Sequence, residues 1–332
     1  MKKAAIMAGP ASEDLVYPQE IKDQIRELCE IVIEHFPVAE ITQRQAEFSE
    51  IELLFSAWGG PQLNREILAC LPRLEAVFYG AGSLRATVTD EFWERGIRIT
   101  SGAEANATPV AEFTFAHIIL GLKQAQRLPA LMRKEKKRVM PDYLTDCGAY
   151  HNTVALISLG AIARQVAEKL KTLDVRVLAY DPYCSVDGAR ALGVERVDLE
   201  TCFEQARVVS LHSPWLPETQ GMITGDLLRS MPQGGVFINT ARGAVVREDE
   251  LIEVMRQRED LLAILDVTYP EPAPPESPLY ELENVLLTPH IAGSIDKERA
   301  RLGMTMFEEC RRYLEKNELL YEVTAEAFPR RA

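Results

Sequence analysis

The sequence predicts an α/β protein built of doubly wound parallel sheets, and three observations predict it. Short apolar runs alternate with helical patterns along nearly the whole chain. Gly160 sits in a tight strand-to-helix turn, and Asp181 ends a strand 21 residues later, close to the roughly 20 expected of a dinucleotide-binding unit. The chain has 332 residues, more than a single core commonly fills, so two domains are expected.

The elements follow in order. Lys3–Ala8 reads as a first strand, and Pro18–Glu30 as a helix with Ile21, Ile25 and Leu28 on one side. Glu52–Trp58 is a strand stopped by Gly59-Gly60-Pro61, and Asn64–Cys70 a short helix. Glu75–Tyr79 is a strand ending in Gly80-Ala81-Gly82, Phe92–Gly96 closes a further helix, and Ile97–Thr100 is the next strand. Pro109–Lys123 reads as a strongly apolar helix with Pro109 in its first turn, where the missing N–H costs nothing. His117 within it reads as a packed or hydrogen-bonded histidine. The polar stretch from there to Asn152 is a candidate arm toward a second subunit, and its basic run Arg133–Arg138 a solvated helix face or subunit contact.

Thr153–Ser158 is a buried strand, Ile162, Val166 and Leu170 stripe one face of a helix, and a second strand begins at Val175. A helix N-terminus offers unpaired N–H groups and a positive dipole end to a pyrophosphate. Asp181 would accept from ribose hydroxyls and repel a 2′-phosphate, which favours NAD over NADP. The three glycine slots of the fingerprint hold Ser158, Gly160 and Ala163. Leu199–Ala206, Thr224–Arg229 and Glu248–Arg256 then read as helices. Val208–Leu211, Gly235–Asn239, Leu261–Val267 and Val285–Leu287 read as strands. Ser294–Lys316 reads as one long terminal helix with no strand after it, expected to return to the first domain.

Composition narrows the function. Hydrophobic residues are 47% and charged residues 26%, an ordinary globular profile, and the net charge of −13 argues against nucleic acid or an anionic membrane as partner. The six cysteines include no CxxC pair and no zinc spacing, as expected of thiols in a cytoplasmic protein without a metal. The opening residues do not read as a signal peptide, and no apolar stretch has the length of a membrane span.

Ligands of open parallel sheets bind beyond the carboxyl ends of the strands. Those ends carry His212-Ser213-Pro214, Thr240-Ala241-Arg242-Gly243, Asp266 with Glu271, and Thr288-Pro289-His290. An arginine, two carboxylates and a histidine are thus expected near the reactive end of a cofactor.

The passages TVALISLGAIARQVAEKL, VVSLHSPWLPETQGMI, GGVFINTARGAVVREDEL, LDVTYPEP and NVLLTPHIAG, in that order, resemble the signatures of the D-isomer-specific 2-hydroxyacid dehydrogenases. The resemblance extends to VFYGAGS and SGAEANATPVAE. It implies two Rossmann-like domains, one flavodoxin-like and one NAD-binding, with a cleft between them. Residues 1–105 plus 294–332 would form the substrate domain and residues 106–293 the NAD-binding domain. It further implies that Arg242 binds the substrate carboxylate and carbonyl, that His290 is the general acid/base paired with Glu271, and that the amides of Ala81 and Gly82 hold the carboxylate. Thr108, Gly160, Ala161, Ile162, Asp181, His212, Pro214, Thr240, Ala241, Asp266 and Gly293 would contact the cofactor, with Asp266 on the nicotinamide side. The substrate would be a small 2-ketoacid or 2-hydroxyacid and the assembly a homodimer. Two places depart from the pattern: Ser158 replaces the first fingerprint glycine, and Leu84 stands where an aspartate is usual. Those departures keep a second class in view, an NAD(H)-sensing corepressor-like binding protein of the same fold.

Overall fold

A computed structural model of the chain describes residues 1–140 and 147–330. It has two compact units, Met1–Asn106 with Ser294–Ala332, and Ala107–Gly293.

The first unit holds five parallel strands, β1 (Lys3–Met7), β2 (Glu30–Ile33), β3 (Leu53–Ser56), β4 (Ala76–Tyr79) and β5 (Arg98–Ser101), in the order β2-β1-β3-β4-β5. Strand side chains alternate between faces, and here both faces are buried. Ala4, Ile6, Leu53, Phe55 and Phe78 pack with Val16, Ile25, Leu302 and Met306. Ala5, Met7, Leu54 and Val77 pack on the other side with Phe48, Leu68 and Phe92. The strand β2 starts at the last residue of the span read as a helix, Pro18–Glu30, and was not expected beyond it; Glu30 and Val32 are exposed and only Ile33 is buried, so its apolar signal is weak. A seven-residue helix, Pro10–Val16, also went unread.

The helix read as starting at Pro109 instead runs Ala103–Leu122, with Pro109 inside it. The helix-compatible run Ala103–Thr108 extends it upstream, although a proline inside a helix removes one backbone bond and costs ~3 kcal/mol. The terminal segment is a 3-10 turn, Asp296–Arg299, followed by an α-helix, Ala300–Leu314. Gly303 lets that helix lie on the first one, since a Cβ there would stand 1.8 Å from the Val16 carbonyl oxygen.

The second unit holds seven parallel strands: β6 (Asn152–Ile157), β7 (Val175–Tyr180), β8 (Glu195–Arg196), β9 (Val208–Leu211), β10 (Val236–Asn239), β11 (Leu262–Leu265) and β12 (Val285–Leu287). Their order is β12-β11-β10-β9-β6-β7-β8. The winding reverses between β9 and β6, the kind of switch point where doubly wound sheets bind dinucleotides. Leu156, Val208, Ile238 and Ile264 pack under Ala111, Ile118, Ala163 and Val166. On the opposite face Ile157, Val209, Phe237 and Leu265 meet Phe203, Leu227, Leu251 and Met255. Of the candidate arm, residues 141–146 lie outside the described residues; within the rest is an exposed helix, Leu128–Glu135. Among the described residues no helix is long and apolar enough to cross a membrane.

Candidate active site

The turn after β6 begins at Ser158, whose φ of 74° is left-handed. That geometry is why glycine is usual in this slot, since a side chain there is strained. The serine is held in place: its N–H donates to Tyr180 O (2.7 Å), and its hydroxyl lies 2.9 Å from that of Ser213. Gly160 then caps the helix Ala161–Leu170 with no side chain on the helix amides, and a Cβ on Gly160 would meet nothing within 4 Å. Ala161 and Ile162 in the first turn are half-buried. This is an open, uncapped helix N-terminus, the cradle a diphosphate requires.

Asp181 closes that cradle. One carboxylate oxygen accepts from Leu159 N (2.7 Å), and the other from Tyr183 N (2.8 Å) and Cys184 N (2.9 Å). It is half-buried, and with three of its roughly four acceptor positions taken it keeps about one, on Oδ2, for a further donor. On the other side of the switch point, His212 continues from β9 with its N–H on Ile157 O. Its Nε2 lies 3.0 Å from Ser210 Oγ, while Nδ1 has no partner among the described residues. Burial pulls its pKa down to about 3. Pro214 O accepts from Thr219 Oγ1 (2.5 Å), fixing the loop that follows.

The end of β10 is pinned by a residue the sequence reading passed over. Asn239 accepts from Ala241 N (3.0 Å) and donates to Arg242 O (3.2 Å), clamping the turn that carries the arginine. The half-buried Arg242 donates from Nη1 to Ala241 O (2.7 Å). Thr240 bonds Thr114 of the long helix, 3.1 Å between hydroxyls, and Thr108 lies half-buried on that same helix. Gly243 then passes so close to the chain after β11 that a Cβ would fall 2.1 Å from the carbonyl carbon and oxygen of Thr268.

Asp266 and His290 stand together after β11 and β12. Asp266 is 2% exposed. Its carboxylate accepts from Thr288 Oγ1 (2.6 Å), Ile291 N (2.8 Å) and Ala292 N (2.9 Å), so its oxygens hold the loop on which the histidine stands. His290 sits at a φ of 53°, with its N–H on Asp266 O and Thr288 O. Its Nδ1 is 2.5 Å from Glu271 Oε1. The ring is half exposed, and Nε2 has no partner among the described residues. Gly293, half-buried, ends the loop. His290 and Glu271, expected to pair, are in contact and lie within one unit.

In the first unit, Ser101 Oγ donates to Ala81 O and Gly82 O (3.2 and 2.7 Å). The turn's carbonyls are thus occupied, while the amides of Ala81 and Gly82 bond no group among the described residues. Leu84 is buried in the core and points no polar group at a ligand. The same unit holds a cluster of Glu13, Asp14 and His35. The buried Lys22 ammonium already fills it, 3.2 Å from Glu13, 3.0 Å from Asp14 and 3.0 Å from His35 Nε2, which makes it an internal ion network. His117 is a hydrogen-bonded histidine, 3.2 Å from Gln126, and burial lowers its pKa.

Residues 115–292 match the family described as D-isomer specific 2-hydroxyacid dehydrogenase, NAD binding domain. A glyoxylate reductase of Korarchaeum cryptofilum is 32% identical over 248 residues, 74% of this chain and 75% of the relative. A D-3-phosphoglycerate dehydrogenase of Archaeoglobus fulgidus is 34% identical over 222 residues, 65% of this chain and 41% of that relative. The NAD-complexed D-isomer specific 2-hydroxyacid dehydrogenase of Lactobacillus delbrueckii ssp. bulgaricus has the same fold, with a TM-score of 0.81, 20% identity, and coverage of 98% of this chain and 100% of its own. The chain belongs to the D-isomer specific 2-hydroxyacid dehydrogenase family. It is an NAD-dependent oxidoreductase with Rossmann-like parallel-sheet units.

Proposed function

We propose that the protein interconverts a small 2-ketoacid and the corresponding D-2-hydroxyacid, using His290 as general acid/base. The observation that carries this is the 2.5 Å contact between His290 Nδ1 and Glu271, with Nε2 left open and the loop fastened to Asp266. When bound, the cofactor would supply a hydride as NADH in reduction and accept one as NAD+ in oxidation. In the reducing direction Nε2–H gives its proton to the carbonyl oxygen as that oxygen gains charge, and in reverse the neutral ring removes the proton from the hydroxyl. Glu271 fixes the ring orientation and balances the positive charge of the imidazolium. Arg242 binds the carboxylate and the carbonyl, since a guanidinium fork suits two neighbouring oxygens. The amides of Ala81 and Gly82 are assigned to the carboxylate. The cradle of Gly160, Ala161, Ile162 and Asp181 is assigned to the diphosphate and adenosine ribose. We place the protein in the cytoplasm as a homodimer.

A panel of 2-ketoacids with NADH and NADPH tests the reading. Turnover with NADH is expected, and His290→Ala should lower kcat by about a hundred- to ten-thousandfold while NADH still binds. Arg242→Ala should lower kcat/KM for the ketoacid by about a hundredfold, the worth of two charge-assisted hydrogen bonds, with a smaller effect on NADH. The second reading, an NAD(H)-sensing corepressor-like protein, draws on the strained Ser158 and on Leu84. NADH binding with no turnover across the panel would establish it instead.

A further inference from the structure

Two large aromatic side chains stand together at the carboxyl edge of the seven-stranded sheet. Trp215 lies four residues past β9 and Tyr269 four residues past β11. Both strands flank β10. Neighbouring strands are ~4.8 Å apart, so the two loops must arch toward each other across the end of β10 for the rings to meet. They do meet, with centroids 5.4 Å apart and planes at 70°. That edge-on geometry is a favoured aromatic pairing. The strand they span ends in the turn of Arg242. Gly243 lies against the Thr268–Tyr269 backbone, and Tyr269 is two residues from Glu271. The Tyr269 backbone therefore stands beside the turn that carries Arg242.

Their surroundings say what they could receive. Trp215 is 41% and Tyr269 49% exposed. The indole N–H already donates to Gln220 Oε1 (3.5 Å), which leaves the ring faces as the surface on offer. The charged side chains bonded to these two loops do not invite an anion. Glu248 accepts from Tyr269 N, and Arg247 is occupied by Gly221 O and Glu250. A single exposed aromatic is unremarkable; here two from separate loops stand side by side at a strand edge and share one small apolar surface.

We infer that Trp215 and Tyr269 form the wall that receives the substrate side chain, and that the substrates are 2-ketoacids with an apolar or aromatic side chain. The inference rests on the dehydrogenase reading and names the substrate class of that site. Both residues set specificity; neither takes part in proton or hydride transfer.

The test compares three ketoacids with NADH. Phenylpyruvate carries a ring, glyoxylate carries no side chain, and oxaloacetate carries a second carboxylate. The wild-type kcat/KM for phenylpyruvate should exceed the other two by at least about tenfold, the scale on which an apolar pocket discriminates. Trp215→Ala and Tyr269→Ala should each cut the phenylpyruvate-to-glyoxylate ratio by about tenfold, chiefly through the KM for phenylpyruvate. Trp215→Phe should restore most of that ratio. A purely structural role would lower both substrates together and leave the ratio unchanged, which overturns the inference. A wild-type preference for glyoxylate or oxaloacetate overturns it as well. Turnover of none of the three with NADH overturns the dehydrogenase reading itself and takes the inference with it.

Discussion

Two aspartates do similar work at opposite ends of the site. Asp181 gathers three backbone amides around the nucleotide turn, and Asp266 gathers a hydroxyl and two amides around the histidine loop. Asp181 is half-buried and Asp266 fully buried. Asp181→Ala should therefore narrow the preference for NADH over NADPH, read as the ratio of the two kcat/KM values; an unchanged ratio would remove it from the ribose. Asp266→Asn should cost about 1–3 kcal/mol of stability, because an NH2 group replaces an acceptor inside a buried network, and turnover should fall as His290 loses its footing. Thermal unfolding alongside steady-state rates checks both halves. His212 gives a pH signature. Its folded pKa of about 3 lies below the usual 6.5. Between those values the unfolded chain binds a proton that the folded chain refuses. Stability from this group is thus complete above about pH 6.5 and falls as pH drops toward 3, by up to about 1.4 kcal/mol per pH unit. His212→Gln should flatten the acid limb of Tm against pH. The chemical types at the strand ends were legible in the sequence. The bonds of Asp266 to Thr288 and of Asn239 to Arg242 were not, because which side-chain atom meets which amide depends on how the turns after β10, β11 and β12 close.

Glycines set the approach of one element to another. Gly243 lets the arginine turn rest on the Thr268 carbonyl, and Gly303 lets the terminal helix cross the Val16 carbonyl. In neither case can the neighbour yield easily, since it is backbone. Gly243→Ala should lower stability by about 1–3 kcal/mol and reduce turnover more than NADH affinity, because the displaced loop carries Glu271. Equal loss of both would mean that the change spreads through the whole sheet. Central strands such as β4, β9 and β10 were legible because every residue in them is buried and apolar runs without helical period follow. The edge strand β2 was hidden because only Ile33 of it is buried, and the short helix Pro10–Val16 because two of its three buried residues, Ser12 and Glu13, are polar; Pro109 misled because a proline marks a first turn more often than an interior.

At the scale of the molecule, the first unit is made from two distant pieces of chain and the second from one. The buried Leu302, Met306, Phe307 and Cys310 cover Ile6, Phe55 and Phe78 on a face laid down some 200 residues earlier or more. During synthesis the middle of the chain can therefore reach its final form while the beginning still waits for its cover. A chain cut at Arg299 should retain a folded NAD-binding half and show the exposed apolar face through dye binding and precipitation; clean solubility of that fragment would mean that the five-stranded sheet stands without its closing helix. The helix Ala300–Leu314 thus acts as a checkpoint, since only a polypeptide translated past it can bury what the early strands expose.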